Sequence, residues 1–205
     1  MNVCIIGGSG FIGSHLINTI ASHHSVTNID KQLPAFDIIG VTSKIADVRD
    51  YESIKAAIPD NTDYVILLAA EHRDDVSPVS LYYDVNVEGA HNVLKVMAEK
   101  NIEHIIFTSS VSVYGLNKKD PDELSEIDPF NHYGKSKFEA EKVLRRWFDN
   151  DRNGKSLNFN LLKEDARKVK IFLGESFAGN ISAKTSIDLY AFDLNYKIIE
   201  SAKHV

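Results

Sequence analysis

The sequence predicts an α/β fold, a doubly wound parallel sheet with helices on both faces. Three observations point to it. Short apolar runs of strand length alternate with amphipathic runs of helical spacing, the order expected when parallel strands are joined by helical crossovers. The first apolar run, Val3-Cys4-Ile5-Ile6, passes directly into Gly7, Gly10 and Gly13 at three-residue spacing and then into a helix. The second run ends on an acid, Asp30.

Taken in order, Phe11, Ile12, Leu16, Ile17 and Ile20 mark the first helix, and residues 25–30 the second strand. Residues 43–46 read as a short third strand, after which Asp50 can cap a helix running through Ala57. Pro59-Asp60-Asn61 is a turn and residues 63–70 a buried strand. A long helix fits residues 79–100, with Tyr82, Val85, Val93, Val96 and Met97 on its inner side. Residues 103–109 give the next strand, 110–130 a loop rich in Pro, Asp and Lys, and 132–148 a helix marked by Tyr133, Phe138, Val143, Leu144 and Trp147. Residues 149–154 form a polar linker, 168–173 read as a strand, and Ile187, Ala191, Leu194 and Ile198 fall at helical spacing within 186–202. Residues 1–150 are expected to form one unit and 151–205 a C-terminal segment. Right-handed crossovers place the strand ends, and any ligand, along one edge.

Bulk properties exclude several classes. With 205 residues, 43% hydrophobic and 25% charged, the chain is an ordinary globular one of one domain, or one domain with an extension. A net charge of −6 leaves no basic face for nucleic acid. Lys142, Arg145 and Arg146 read as a solvated helix face. The single cysteine, Cys4, forms no internal disulfide and suits a reducing, cytoplasmic setting. No apolar run spans a bilayer, the N-terminus lacks the basic leader of a signal peptide, and the eight histidines show no metal-ligand spacing.

A strand that turns sharply into a helix leaves the first helical N–H groups pointing outward, at the positive end of the macrodipole. Together these make an anion site suited to a pyrophosphate. Gly7, Gly10 and Gly13, with Phe11 and Ile12 opening the helix, are therefore expected to hold a dinucleotide; the plain alternative is a structural turn. Asp30 lies 17 residues beyond Gly13. A carboxylate there accepts from both ribose hydroxyls of NAD and repels the 2′-phosphate of NADP, its plain alternative being a solvated strand end. Asp47 and Val48 are expected at the adenine, the acid through the exocyclic amine and the valine by packing.

Tyr133 and Lys137, four apart, share a helix face, so an ammonium sits near a phenol. A nearby cation favours phenolate and makes the tyrosine a usable acid or base. Lys137 can also hold the nicotinamide ribose. Alone, such a pair is frequent on amphipathic helices. Here it follows a strand ending Phe107-Thr108-Ser109-Ser110, which supplies a hydroxyl. Neither Tyr133 nor Lys137 is expected to anchor the core.

Together these pieces resemble the extended short-chain dehydrogenase/reductase superfamily, in particular the nucleotide-sugar epimerases and dehydratases of the UDP-glucose 4-epimerase type. The matching stretches are GGSGFIGSHL (7–16), NID (28–30), ADVRD (46–50), LLAAEHRDDVSP (67–78), VNVEGAHNV (85–93), FTSSVSVYG (107–115) and HYGKSK (132–137). The resemblance implies a Rossmann-type sheet and NAD as cofactor, with Tyr133 as catalytic acid/base and Lys137 as its partner. It places the catalytic hydroxyl at Ser110, with Ser109 the runner-up, also expected beside the cofactor. Asn86 would brace the active-site helix, and Leu68, Ala69 and Ala70 would line the nicotinamide half. A UDP-sugar is the implied substrate, and the long helices at 79–100 and 132–148 would pair in a homodimer.

Beyond the last match the sequence departs from the family. KSLNFNLL (155–162) is followed by Lys163-Glu164-Asp165, without the family's Arg-Pro and Tyr-Gly-Pro. A sheet strand and much of the sugar-nucleotide pocket are therefore expected to be missing, leaving a reduced substrate-binding extension. The expected activity is an NAD-dependent epimerase or dehydratase. The competing readings are an impaired NAD-binding protein and a small NAD-dependent carbonyl reductase.

Overall fold

The first strand sets the two sides of the molecule. Asn2–Ile6 form β1, whose side chains alternate between two buried faces, Cys4 and Ile6 on one and Val3 and Ile5 on the other. The computed structural model describes residues 1–35, 38–116, 125–150, 169–174, 189–192 and 198–202, with Asn150 and the last three stretches as backbone only. After β1 come α1 (Phe11–Ile20), β2 (Ser25–Asp30), β3 (Val41–Ile45), α2 (Tyr51–Ala57), β4 (Tyr64–Leu67) and α3 (Ser80–Tyr83). A π-helical turn, Asp84–Glu88, joins α3 to α4 (Gly89–Glu99), and β5 (His104–Ser110), a 3₁₀ turn (Val111–Tyr114) and α5 (His132–Asn150) follow. The chain ends in β6 (Val169–Gly174), β7 (Leu189–Phe192) and β8 (Ile198–Ala202).

Six strands form one parallel sheet in the order β3-β2-β1-β4-β5-β6. The order reverses between β1 and β4, so the C-terminal ends of these two strands flank a crevice. The faces are unequally covered. Cys4, Ile6, Ile54, Val93, Met97, Phe107 and Leu144 build the larger core beneath α2, α4 and α5. On the other face, Ile17 of α1 meets Val3, Ile5, Val26 and Ile66. Asp50 caps α2 as expected, its carboxylate accepting from Ser53 N at 3.2 Å.

Most expected elements are present with shifted ends. β3 begins at Val41, and β4 stops at Leu67, so Leu68, Ala69 and Ala70 lie in the loop that follows. The long helix runs as one rod from Ser80 to Glu99, widened midway by the π turn, which no pattern in the sequence announced. Within the expected loop 110–130, Val111–Tyr114 close a 3₁₀ turn. Residues 117–124, like 151–168 with the rest of the linker and KSLNFNLL, lie outside the described residues.

The strand expected at 168–173 is present as β6, which pairs in parallel with β5 from Ile105↔Val169 to Ser110↔Gly174; the sheet therefore has a strand beside β5, where one was expected to be missing for want of the family's Arg-Pro and Tyr-Gly-Pro. The helix expected at 186–202 is instead an antiparallel pair, β7 with β8, in register Leu189↔Ala202 with a bulge between Ala191 and Phe192. Tyr190, Phe192, Ile198 and Ile199 are residues that favour extended backbone, and runs this short do not distinguish helix from strand by spacing. No helix among the described residues is long and apolar enough to cross a membrane.

Gly13 is where α1 packs against the glycine loop, backbone on backbone. A Cβ there would lie 2.4 Å from Gly8 Cα, closer than two carbons can come. Gly13→Ala must therefore lift α1 off the glycine loop. Such overpacking costs about 1–3 kcal/mol, which urea unfolding reads as a lower midpoint at unchanged m; an unchanged midpoint would contradict the close approach.

Candidate active site

At the open end of β1 the chain turns at Gly7, whose N–H donates to the Ile29 carbonyl at 2.7 Å. The first intrahelical bond of α1 runs from Ser14 N to Gly10 O at 2.9 Å. The amides of Phe11, Ile12 and Gly13 precede it and face outward. Gly10, at the N-cap, has no side chain to satisfy them. A Cβ on Gly10 would meet only Gly7 O, at 3.5 Å, so the space before the helix is open to an anion. These features fit a dinucleotide diphosphate. Asp30, at the tip of β2, is aimed at the same loop. Its Oδ2 accepts from Ser9 N at 3.0 Å and its Oδ1 from Gln32 N at 3.3 Å.

Asp47 and Val48 follow β3. Asp47 is gripped by Arg49, which the sequence reading did not single out: Arg49 Nη2 lies 2.5 Å from Oδ2 and Nε 3.0 Å from Oδ1. This pairing holds the Asp47 carboxyl below the usual carboxylate range. The Val48 side chain is buried near Gly89, and its carbonyl accepts from Asn92 Nδ2 at 2.9 Å.

Across the crevice, Leu68 N and Ala69 N both donate to Ile6 O, at 2.8 and 2.9 Å, folding the end of β4 beside the glycine loop. Two residues on, Glu71 is tied to Asn86, which the π turn directs inward. Glu71 N donates to Asn86 Oδ1 at 2.8 Å, and Asn86 Nδ2 donates to Glu71 O at 3.0 Å and to Ser136 Oγ at 2.8 Å. Ser136 Oγ in turn donates to Tyr133 O at 2.8 Å. The amide of Asn86 thus fastens the first turn of α5 to the strand end opposite.

The start of α5 is set by Asn131, whose Oδ1 accepts from Gly134 N at 2.8 Å. Gly134 allows the helix to approach the 3₁₀ turn, since a Cβ there would lie 2.5 Å from Ser112 O. This brings Tyr133 to Ser110. The Ser110 hydroxyl accepts from Ser112 N at 3.2 Å and lies near enough to the Tyr133 phenol to favour its ionised form. Burial pushes the Tyr133 phenol above its ordinary pKa, and the Ser110 hydroxyl partly offsets this. Lys137, one turn along, is 1% exposed, and its ammonium lies 4.1 Å from the centroid of the Phe107 ring. Burial lowers the Lys137 pKa to about 7, opposed by the charge of Glu141. Lys137 thus belongs to the core, contrary to expectation.

Of the two serines, Ser110 lies near Tyr133, while Ser109 turns under α5 and donates to Glu141 Oε1. Sequence reasoning missed Glu141, Ser136 and Arg49. The signal for Glu141 was present: a carboxylate four residues after Lys137, on the buried stripe of the helix that also carries Ala140 and Leu144.

Comparisons with known proteins show the family. Residues 3–161 match the model of the NAD dependent epimerase/dehydratase family. The chain is 49% identical over 180 residues to the N-acetyl-alpha-D-glucosaminyl-diphospho-ditrans,octacis-undecaprenol 4-epimerase of Escherichia coli O157:H7, covering 88% of this chain and 51% of that protein. It is 31% identical over 157 residues to the UDP-glucose 4-epimerase of Lactobacillus helveticus, covering 73% of this chain and 47% of the relative. The structure of UDP-glucose 4-epimerase from Brucella ovis in complex with NAD superposes with a TM-score of 0.65 at 27% identity, over 71% of this chain and 47% of that one. The chain spans about half the length of these relatives. With the family's match extending over most of its residues, the chain belongs to the NAD dependent epimerase/dehydratase family.

Proposed function

We propose that the chain carries the cofactor-binding and proton-transfer part of a sugar 4-epimerase, acting on an N-acetylhexosamine joined through diphosphate to undecaprenol. The observation that supports the chemistry is the packing of the start of α5 on the turn after Ser110, which brings Ser110, Tyr133 and the buried Lys137 to one end of the crevice. The carrier rests on the relative at 49% identity. A UDP-linked sugar is the second reading, favoured by the UDP-glucose 4-epimerases at about 30% identity. Residues 1–150 would hold the cofactor and the catalytic groups, and 151–205 would begin the substrate side.

NAD, when bound, supplies the acceptor and donor of the hydride. Gly7, Gly10 and Gly13, with the amides of Phe11 and Ile12, would hold its diphosphate, and Asp30 its adenosine ribose. Asp47 and Val48 would meet the adenine, while Leu68, Ala69 and Ala70 would line the nicotinamide half. Lys137 would reach the second ribose, from a helix that Asn86 fixes in place and Ser109 underlies. As the sugar C4 hydroxyl becomes a carbonyl, Tyr133 takes its proton, and Tyr133 returns that proton after the sugar has turned over. Ser110 steadies the charge on the oxygen involved, and the Lys137 ammonium lowers the proton affinity of the phenol. By resemblance, the long helices would also pair with their copies in a homodimer, which light scattering checks.

The test offers the 205-residue chain, with NAD, N-acetylglucosaminyl-diphospho-undecaprenol in detergent alongside UDP-N-acetylglucosamine and UDP-glucose, and follows the C4 epimer by NMR. Conversion of the lipid-linked sugar is expected. Conversion of the UDP-sugars alone would move the assignment to the second reading, and none at all would remove both. NAD is expected to bind more tightly than NADP by about tenfold or more, close to 1.4 kcal/mol, with Asp30→Ala narrowing the gap; tighter NADP binding by calorimetry would contradict the Asp30 assignment. Tyr133→Phe should lower kcat on the order of 10²–10⁴-fold with cofactor content unchanged. Because Lys137 fills buried space, its role is tested with Lys137→Met rather than alanine. That variant should fold and lose turnover, and full turnover would exclude Lys137 from the proton step.

A further inference from the structure

Glu141 is a buried ionisable group next to the site that the mechanism above does not use. It is 5% exposed, one helical turn beyond Lys137 on the same face of α5. Its two oxygens have separate neighbours: Oε1 accepts from Ser109 Oγ, and Oε2 lies 3.7 Å from Arg145 Nη2, at the solvent edge. Phe107 and Ser109 lie on one face of β5 and meet Lys137 and Glu141 respectively. A single strand face therefore receives the ammonium on an aromatic ring and the carboxylate on a hydroxyl.

We propose that Glu141 is a positioning residue for the reaction assigned above, the counter-charge that keeps Lys137 protonated inside the protein and the anchor that fixes the Ser109–Ser110 strand end beneath Tyr133. A buried ammonium without an opposite charge gives up its proton, and a buried carboxylate without donors is strongly disfavoured. Here Ser109 and Arg145 serve the carboxylate, and the carboxylate is the opposite charge one helical turn from the buried ammonium. The other groups brought to the pair are Tyr133 and Arg145 on α5, Phe107 and Ser109 on β5, and Asn86, which reaches Ser136 from the π turn. Apart from Arg145, at the far end of the carboxylate, and the Tyr133 phenol, these are not ionisable. Burial lowers the Lys137 pKa, and Glu141 is the charge found to raise it. Because Ser109 is the residue before Ser110, holding its hydroxyl also fixes the direction in which Ser110 leaves the strand.

The proposal rests on the proton-transfer role given to Tyr133 and Lys137, but its main test needs no substrate. In the NAD-loaded 205-residue chain labelled with ¹⁵N-lysine, the Lys137 side-chain resonance, assigned with Lys137→Met, should read as an ammonium at pH 6.5. In Glu141→Gln, which keeps shape and an acceptor for Ser109 but not the charge, it should read as a neutral amine, with NAD content unchanged. If the chain turns over sugar, the same variant should lose at least about tenfold in kcat with KM within about twofold, and Glu141→Asp should restore most of it. A Glu141→Gln protein whose Lys137 remains an ammonium overturns the proposal. So does a wild-type Glu141 whose ¹³C carboxyl signal shows it protonated at pH 6.5, a measurement that stands even if the variant does not fold. Absence of sugar turnover in the wild-type chain would count against the assigned reaction and leave the NMR result to decide the role of Glu141.

Discussion

The side chain of Asn86 is the joint on which the arrangement turns. It is buried, and its amide is used on both sides: the oxygen accepts from Glu71 N, and the nitrogen donates to Glu71 O and to Ser136. Aspartate could not donate there, and leucine would leave buried polar groups on two elements unpaired, at a desolvation penalty of about 1–3 kcal/mol each. The π turn at Asp84–Glu88 bears on this placement, since an extra residue in a helical turn rotates which side chain faces inward. A single amide therefore sets both the exit of the loop after β4 and the seat of Tyr133 on α5. The crevice has its width because these two walls are fastened together.

Electrostatics divides the crevice along its length. At the glycine-loop end the charges are wet: Arg49 and Asp47 are 48% and 31% exposed in their side chains, and such a pair adds about 0–1 kcal/mol to stability. Its contribution is orientation of the Asp47 oxygens. At the Tyr133 end the charged groups are withdrawn from water, where the same separation of charge has far more influence on proton affinity. An anion could thus enter at a solvated helix terminus, and in the proposed reaction the proton would change hands where the charged groups are buried.

How much of this the sequence disclosed depended on whether the signal was local. Gly7, Gly10 and Gly13 announce a strand-to-helix turn within a dozen residues, and Tyr133 with Lys137 announce a shared helix face, because both patterns are written in periodicity. Asp30 followed from counting to the next strand end. The π turn was hidden because its hydrophobic spacing still reads as helix. The grip of Arg49 on Asp47 was hidden because neighbouring opposite charges are usual on any surface. Glu141 was visible as a residue but not as a buried one: nothing nearby in sequence says that Ser109 lies beneath it. Across 186–202 the sequence offered helical spacing at Ile187, Ala191, Leu194 and Ile198, while Tyr190 and Phe192 of β7 and Ile199 of β8 offered strand propensity. The latter prevailed, the two strands meeting in an antiparallel ladder.

The position of the reacting atoms bears on how one scaffold serves different carriers. In a hexose joined through diphosphate, the bonds that change during 4-epimerisation lie across the ring from the anomeric carbon that bears the diphosphate. Tyr133, Ser110 and Lys137 would therefore meet the same C–H and O–H groups whether that diphosphate ends in uridine or in undecaprenol. The carrier must be distinguished by surfaces that touch it, since uracil calls for polar and stacking partners and a polyprenyl chain for apolar ones. Residues near the proton step are under no physical demand to differ between the two substrate classes. The motifs at 7–16, 107–115 and 132–137 can then recur in proteins named for either carrier, and relatives with one reaction and two carriers follow from that division.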